Sequence, residues 1–219
     1  MTVGKACGRF RLDAADPALE SFSHAYPEAL VIQADVTLGA DRIAMLEAVA
    51  GRFGRLDILI NNAGVFTERN FAAMDDALTG LEEEISLNLM APILLTGEAL
   101  SRWQALGSIV FVTSGFAMVS PTRAPTYGAA KAGLSAFADA LRRQLAPRGV
   151  HVLEVLPTTT DTPMNANLKR KKMPPEEVAV LTLRALARRS PVALAGELRY
   201  LPTLLRLAPE TVKGLVANV

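Results

Sequence analysis

Tyr127-Gly-Ala-Ala-Lys131 sets a phenol and an ammonium four residues apart, which places both on one face of a helix with their heads within reach. A tyrosine ordinarily titrates near ~10, and a neighbouring positive charge stabilises the phenolate, so such a pair can move a proton near neutral pH. A solvated helix surface could carry the same two residues, and their surroundings must decide. Ser114 closes the run SIVFVTS thirteen residues before Tyr127, and a hydroxyl there could hold a carbonyl oxygen. Asn88 stands in EEEISLNLMAP, and Pro92 four residues on cannot donate to the Asn88 carbonyl, leaving a place for an ordered water. LDILI runs directly into Asn61-Asn62-Ala63-Gly64, a small-residue turn that lets backbone approach a flat or extended ligand.

Repeated strand–helix units would position these groups. Short apolar, β-branched runs predict strands over Thr2–Gly8, Ala29–Asp35, Leu56–Asn61, Ser108–Ser114, Val150–Leu156 and Val192–Gly196. Between them, helical periodicity predicts helices over Pro17–Ala25, Asp41–Phe53, Leu81–Trp103, Tyr127–Leu145, Pro175–Arg188 and Pro202–Ala217. Alternation of this kind implies an α/β fold with a parallel sheet, and the absence of a linker or repeat implies a single domain over residues 1–219.

Composition narrows the function classes. With 23 basic against 22 acidic side chains among 219 residues, the charge of +1 argues against a general polyanion binder, and no nucleic-acid partner is expected. One cysteine, Cys7, cannot form an internal disulfide, and two histidines, His24 and His151, cannot build a His-rich metal site. A reducing, cytoplasmic setting is expected. Mean hydropathy is high at +0.25. The longest uncharged stretch, Trp103–Thr122, nevertheless contains too many Gly, Ser, Thr and Pro residues to lie in lipid, so no membrane span is expected. The amino terminus shows no apolar run of signal-peptide length. Lys169-Arg-Lys-Lys172 lacks stacking aromatics and is read as a solvated loop. Cys7, Trp103 and the histidines are read as packing residues, while Phe116, Met118, Met164 and Leu168 could line a lipophilic pocket or belong to the core.

In this order and spacing, NNAG after LDILI, then Asn88, Ser114, Tyr127 and Lys131, the chain resembles the short-chain dehydrogenase/reductase family from about Ala29 to its end. The resemblance implies a Rossmann-like, doubly wound parallel sheet in three αβα layers. It implies NAD(P)-dependent interconversion of a carbonyl and a secondary alcohol on a small-molecule substrate, with the hydride chemistry belonging to the cofactor. Tyr127 would be the general acid or base, Ser114 would orient the oxygen, Lys131 would lower the Tyr127 pKa and hold the nicotinamide ribose, and Asn88 would position a relay water. Asp35 and Val36 would meet the adenine, Asn62, Ala63 and Gly64 the cofactor ribose, and Thr162 the nicotinamide carboxamide.

The chain departs from that family in two places. The glycine-rich turn that normally opens the fold and binds the pyrophosphate is not present: Gly4 and Gly8 are followed by Phe10 where the last glycine belongs. Counted back from Asp35, VGKACGRF takes the place of the second strand, so the fold is expected to be shortened at its amino terminus by one βα unit, with Thr2–Gly8 closing beside Leu56–Asn61. By order of appearance the six strands would then lie 2-1-3-4-5-6. After Leu156, Pro157-Thr158 replaces a Pro-Gly pair. On the same alignment Arg9 falls where a basic side chain takes the 2′-phosphate, so NADP(H) is expected over NAD(H). Two function classes stay open: the oxidoreductase, and a cofactor-impaired remnant that acts as an interaction or scaffold protein. Family members commonly pair through two helices, and Ala132, Ala136 and Ala140 form a small-residue stripe here, so a homodimer through helices 81–103 and 127–145 is expected.

Overall fold

The computed structural model describes residues 17–73, 76–169 and 171–217. In chain order the elements are α1 (Pro17–Ala25), α2 (Gly39–Phe53), β1 (Ile58–Asn61), α3 (Leu81–Ile85), α4 (Ala91–Arg102), β2 (Ser108–Val112), α5 (Pro125–Leu145), β3 (His151–Leu156), α6 (Pro175–Ala187), β4 (Val192–Leu194), α7 (Leu201–Leu207) and α8 (Pro209–Ala217). The four strands are parallel and lie in the order β1-β2-β3-β4, with Asn61 beside Phe111 and Phe111 beside Glu154.

Alternating side chains feed two cores, which is why the central strands are apolar along their length. Ile109, Phe111 and Val152 face α2, α4 and α5, where Leu46, Leu95, Leu134 and Ala138 cover them. Val110, Leu153 and Val155 point to the opposite face and meet Ala185 of α6. The result is the expected α/β sandwich with helices on both sides of a parallel sheet. Gly149, at φ +70°, makes the left-handed turn that brings the chain from α5 into β3. Arg42 is buried and ties α2 to α4: its Nε and Nη2 donate to Glu98 at 3.0–3.1 Å, and its Nη1 donates to the carbonyls of Val36 and Thr37.

Several expected elements differ. The four strands follow the expected sequential order, each shorter than predicted by one or two residues. Ala29–Asp35 joins no ladder among the described residues, and Thr2–Gly8, the strand expected beside it, lies outside them. The Asp35 end is a turn: the Asp35 N–H donates to Asp41 Oδ2 (2.8 Å), and Asp35 Oδ1 accepts from the N–H (2.9 Å) and hydroxyl (2.7 Å) of Thr37. The helix predicted over 81–103 contains a π-helical turn, Ser86–Met90, between α3 and α4. Pro92 accounts for it, since its missing N–H cannot continue the α-helical ladder at the Asn88 carbonyl. The helix predicted over 202–217 breaks at Ala208, the residue before Pro209, where the α conformation is disfavoured.

Thr2–Gly8, and with it the proposed closure against β1, lies outside the described residues. Within them the outer edge of β1 has no partner, and Ile58 and Ile60 on one of its faces are 41% and 49% exposed. No described helix is long and apolar enough to cross a membrane.

Candidate active site

The carboxyl ends of β1 and β2, the π turn and the first turns of α5 converge. Ser114 follows β2 in extended conformation and caps a short turn over Gly115–Ala117, its Oγ accepting from the Phe116 N–H at 3.2 Å. Tyr127 is the third residue of α5, whose Pro125 suits a first helical position. The Ser114 hydroxyl lies near enough to its phenol to draw the ionisation down. One turn on, Lys131 is buried, with Nζ 5.7 Å from the centre of the Tyr127 ring and donating to the Val112 carbonyl at 3.1 Å. The predicted Ser-Tyr-Lys set is therefore assembled.

Its electrostatics correct one expectation. The Tyr127 phenol is pushed up to about 12, first because burial disfavours the phenolate; the Ser114 hydroxyl opposes this and the negative charge of Glu84 adds to it. Burial also brings the Lys131 ammonium down to about 8. The protein without ligand thus holds Tyr127 protonated through neutral pH, and desolvation outweighs the lysine effect anticipated from spacing.

Asn88 is fully buried and clamps the turn after β1: its Oδ1 accepts from the Val65 N–H (3.1 Å) and its Nδ2 donates to the Val65 carbonyl (2.8 Å). The side chain is engaged with backbone, and the main-chain carbonyl of Asn88 cannot accept from Pro92 four residues on. Gly64 sits against this pair. A Cβ there would lie 2.7 Å from Asn88 Oδ1 and 3.4 Å from Lys131 Nζ. Three predicted residues, Gly64, Asn88 and Lys131, thus meet at one bare α-carbon.

The remaining predicted positions are less closely joined. Ala63 and Val65 pack on buried Val36, which belongs to a small core with Leu87 and Ala91. Asn62 is exposed, and the Asp35 carboxylate is turned onto Thr37. Thr162 lies beyond β3 in a segment whose base is held by Thr160 and Met173, the Met173 N–H donating to the Thr159 carbonyl and the Asp161 N–H to the Met173 carbonyl, both at 2.8 Å. Arg9 lies outside the described residues.

Of the apolar wall of the site the sequence pointed to Phe116 and missed Phe66 and Leu198. Phe66 meets Tyr127 edge-on with ring centres 5.0 Å apart, and Phe116 lies 6.3 Å from it in a similar attitude. Leu198, from the carboxyl-terminal segment, approaches Gly115 so closely that a Cβ there would be 2.7 Å from a leucine methyl. Phe116 is partly buried beside the site, whereas Met164 is 48% exposed. A small-residue turn, a buried lysine and a protonated phenol beside a hydroxyl can together accept a polarised oxygen and give it a proton.

Comparison with known proteins identifies the family. The short chain dehydrogenase family matches residues 7–173. A 3-oxoacyl-[acyl-carrier-protein] reductase of Synechocystis is 32% identical over 180 residues, 80% of this chain and 69% of that protein. Across six curated relatives the alignments span 26–69% of the relative's own length. Among solved structures, a short chain dehydrogenase from Burkholderia cenocepacia in complex with NADP has a TM-score of 0.78 at 22% identity, covering 92% of this chain and 84% of the other. A 3-ketoacyl-(acyl-carrier-protein) reductase from Brucella melitensis complexed with NADH has a TM-score of 0.69 at 22% identity, covering 76% of each.

Proposed function

The chain belongs to the short-chain dehydrogenase/reductase family, and on that premise we propose that it is an NAD(P)-dependent oxidoreductase interconverting a carbonyl and a secondary alcohol. The observation that carries this reading is the meeting of Ser114, Tyr127 and Lys131 beside the bare α-carbon of Gly64. The cradle at Gly64 fits a nicotinamide cofactor, because a side chain there would fill the space between Asn88 and Lys131. Asn62, Ala63, Gly64, Lys131 and Thr162, with Asp35 and Val36 at the adenine end, would hold it. Bound there, the cofactor supplies or accepts the hydride.

The chain's own residues handle the oxygen and its proton. Ser114 orients the carbonyl oxygen and Tyr127 gives it the phenolic proton during reduction. Lys131 then stabilises the phenolate, and a water on the Asn88 carbonyl returns a proton from solvent. Phe66, Phe116 and Leu198 favour a substrate with apolar substituents. Arg9 inclines the preference toward NADP(H), and the exposed faces of α4 and α5 favour a homodimer.

The second reading is a cofactor-impaired family member that serves as an interaction or scaffold protein. Calorimetry with NADPH on this chain separates the two. Saturable binding that Gly64→Ala weakens supports the oxidoreductase; no heat at millimolar NADPH and NADH would leave the interaction protein.

A further inference from the structure

Glu84 and Arg69 form an ion pair whose side chains are only 1% and 2% exposed, on the far side of Tyr127 from Lys131 in sequence and outside the reacting set described above. The carboxylate is used fully. Glu84 Oε2 accepts from Arg69 Nε (3.1 Å) and from the Thr126 hydroxyl (2.7 Å), and Oε1 accepts from the Thr67 N–H (3.3 Å). Arg69 Nη1 donates to the carbonyls of Ala77 (2.9 Å) and Thr79 (2.7 Å), and its own N–H donates to the Arg123 carbonyl at 2.8 Å. Three pieces of chain are thereby fastened together: α3, the segment that follows the Asn62–Gly64 turn, and the start of α5.

The start of α5 needs such a fastening. Its cap residue, Ala124, offers no side-chain hydrogen bond, and no acidic residue lies in its first turn. A helix amino terminus without either is prone to fray. Glu84 brings the missing anion from a neighbouring element and delivers it through Thr126, the residue immediately before Tyr127. An ion pair this deeply buried is costly to desolvate and adds little net stability, so its retention calls for a different use.

We propose that Glu84 is a positioning residue of the site, which through Thr126 and Arg69 locks the first turn of α5 and so fixes the Tyr127 phenol against Ser114. This rests on the catalytic role assigned to Tyr127. The charged groups facing Tyr127 among the described residues are Glu84, Lys131 and, across the Phe66 ring, Arg123, whose guanidinium is 4.9 Å from that ring and paired with Glu68. Thr126→Val removes only the hydroxyl link. With the turn loosened, water reaches the phenol, and the burial that raises its ionisation is relieved.

Tyrosinate absorbance against pH, with the Tyr127→Phe trace subtracted, reads this directly, since the other two described tyrosines, Tyr26 and Tyr200, are exposed. In Thr126→Val, and in Glu84→Asp with its carboxylate drawn back, the Tyr127 transition should fall from about 12 toward the ordinary value near ~10. Thr126→Ser should restore it. Where a carbonyl substrate is turned over, kcat should drop on the order of 10- to 100-fold with KM little changed. A folded Thr126→Val or Glu84→Asp protein with an unshifted Tyr127 transition overturns the inference, as does Thr126→Ser behaving like valine. The titration requires no substrate, so an unshifted transition overturns this inference alone, while the oxidoreductase reading stands or falls on cofactor binding.

Discussion

The α-carbon of Gly64 faces Asn88 Oδ1 so closely that a methyl group on it would stand 2.7 Å from that oxygen. Asn88 cannot retreat cheaply, because both ends of its amide are bonded to Val65. Gly64→Ala should therefore break one or both of these bonds, costing about 1–3 kcal/mol of stability, and displace the turn that would carry the cofactor. Urea denaturation and NADPH calorimetry check it together. An alanine variant with unchanged midpoint and affinity would show that the cradle is not read by the ligand.

Burial holds the Tyr127 phenol protonated until about pH 12. Reduction uses the protonated form, so its rate should be flat through neutral pH and fall only in strong alkali. Oxidation uses the phenolate and should rise about tenfold per pH unit over the same range. Tyr127→Phe should lower either rate by on the order of 10²–10⁴-fold without unfolding the protein. Steady-state pH profiles in both directions provide the check, and a bell centred on neutral pH for reduction would contradict the assignment.

Lys131 carries a thermodynamic cost that its position explains. Its ammonium titrates near 8 in the fold and near 10.5 in the unfolded chain, so the folded state binds the proton less tightly. Stability should consequently rise with pH between these values, and below pH 8 the buried charge is fully opposed. Lys131→Met removes that opposition. Thermal denaturation should find the methionine protein more stable than the parent at pH 7, by on the order of 1–3 kcal/mol, with the gap closing toward pH 10.5. A variant less stable at pH 7 than at pH 10, relative to the parent, would reverse the sign and refute the account.

How much of this was legible follows from the kinds of signal involved. Tyr127 and Lys131 are separated by a helical period, and Ser114 and Gly64 follow recognisable strand runs, so their meeting could be read from spacing. Pro92 likewise announced the irregularity at Asn88. Glu84 is 15 residues from Arg69 and 42 from Thr126, and Leu198 reaches Gly115 across the whole of α5, β3, α6 and β4. Such pairings leave no periodicity. The direction of the Tyr127 shift was illegible for a related reason: a neighbouring lysine is visible in sequence, but the burial that outweighs it is not. For Ala29–Asp35, β-branched composition describes a residue's fitness for a sheet, and the strand expected beside it lies outside the described residues.

Assembly gives the last prediction. On α5, Ala132 is half-buried while Ala136 and Ala140 are exposed, and Met90 and Leu94 at the start of the neighbouring helical segment are 46% and 41% exposed. Small side chains at four-residue spacing let a second helix approach closely, and water gains nothing from them. A two-fold pair would bring each α5 against its copy, burying Ala136 near the axis. Light scattering should accordingly return twice the 23.4 kDa chain mass at micromolar concentration. Ala136→Glu would bury an unpaired carboxylate at that contact, a penalty of several kcal/mol that should release folded monomers. A parent protein that already runs at the single-chain mass, or a glutamate variant that stays paired, would place the interface elsewhere or remove it.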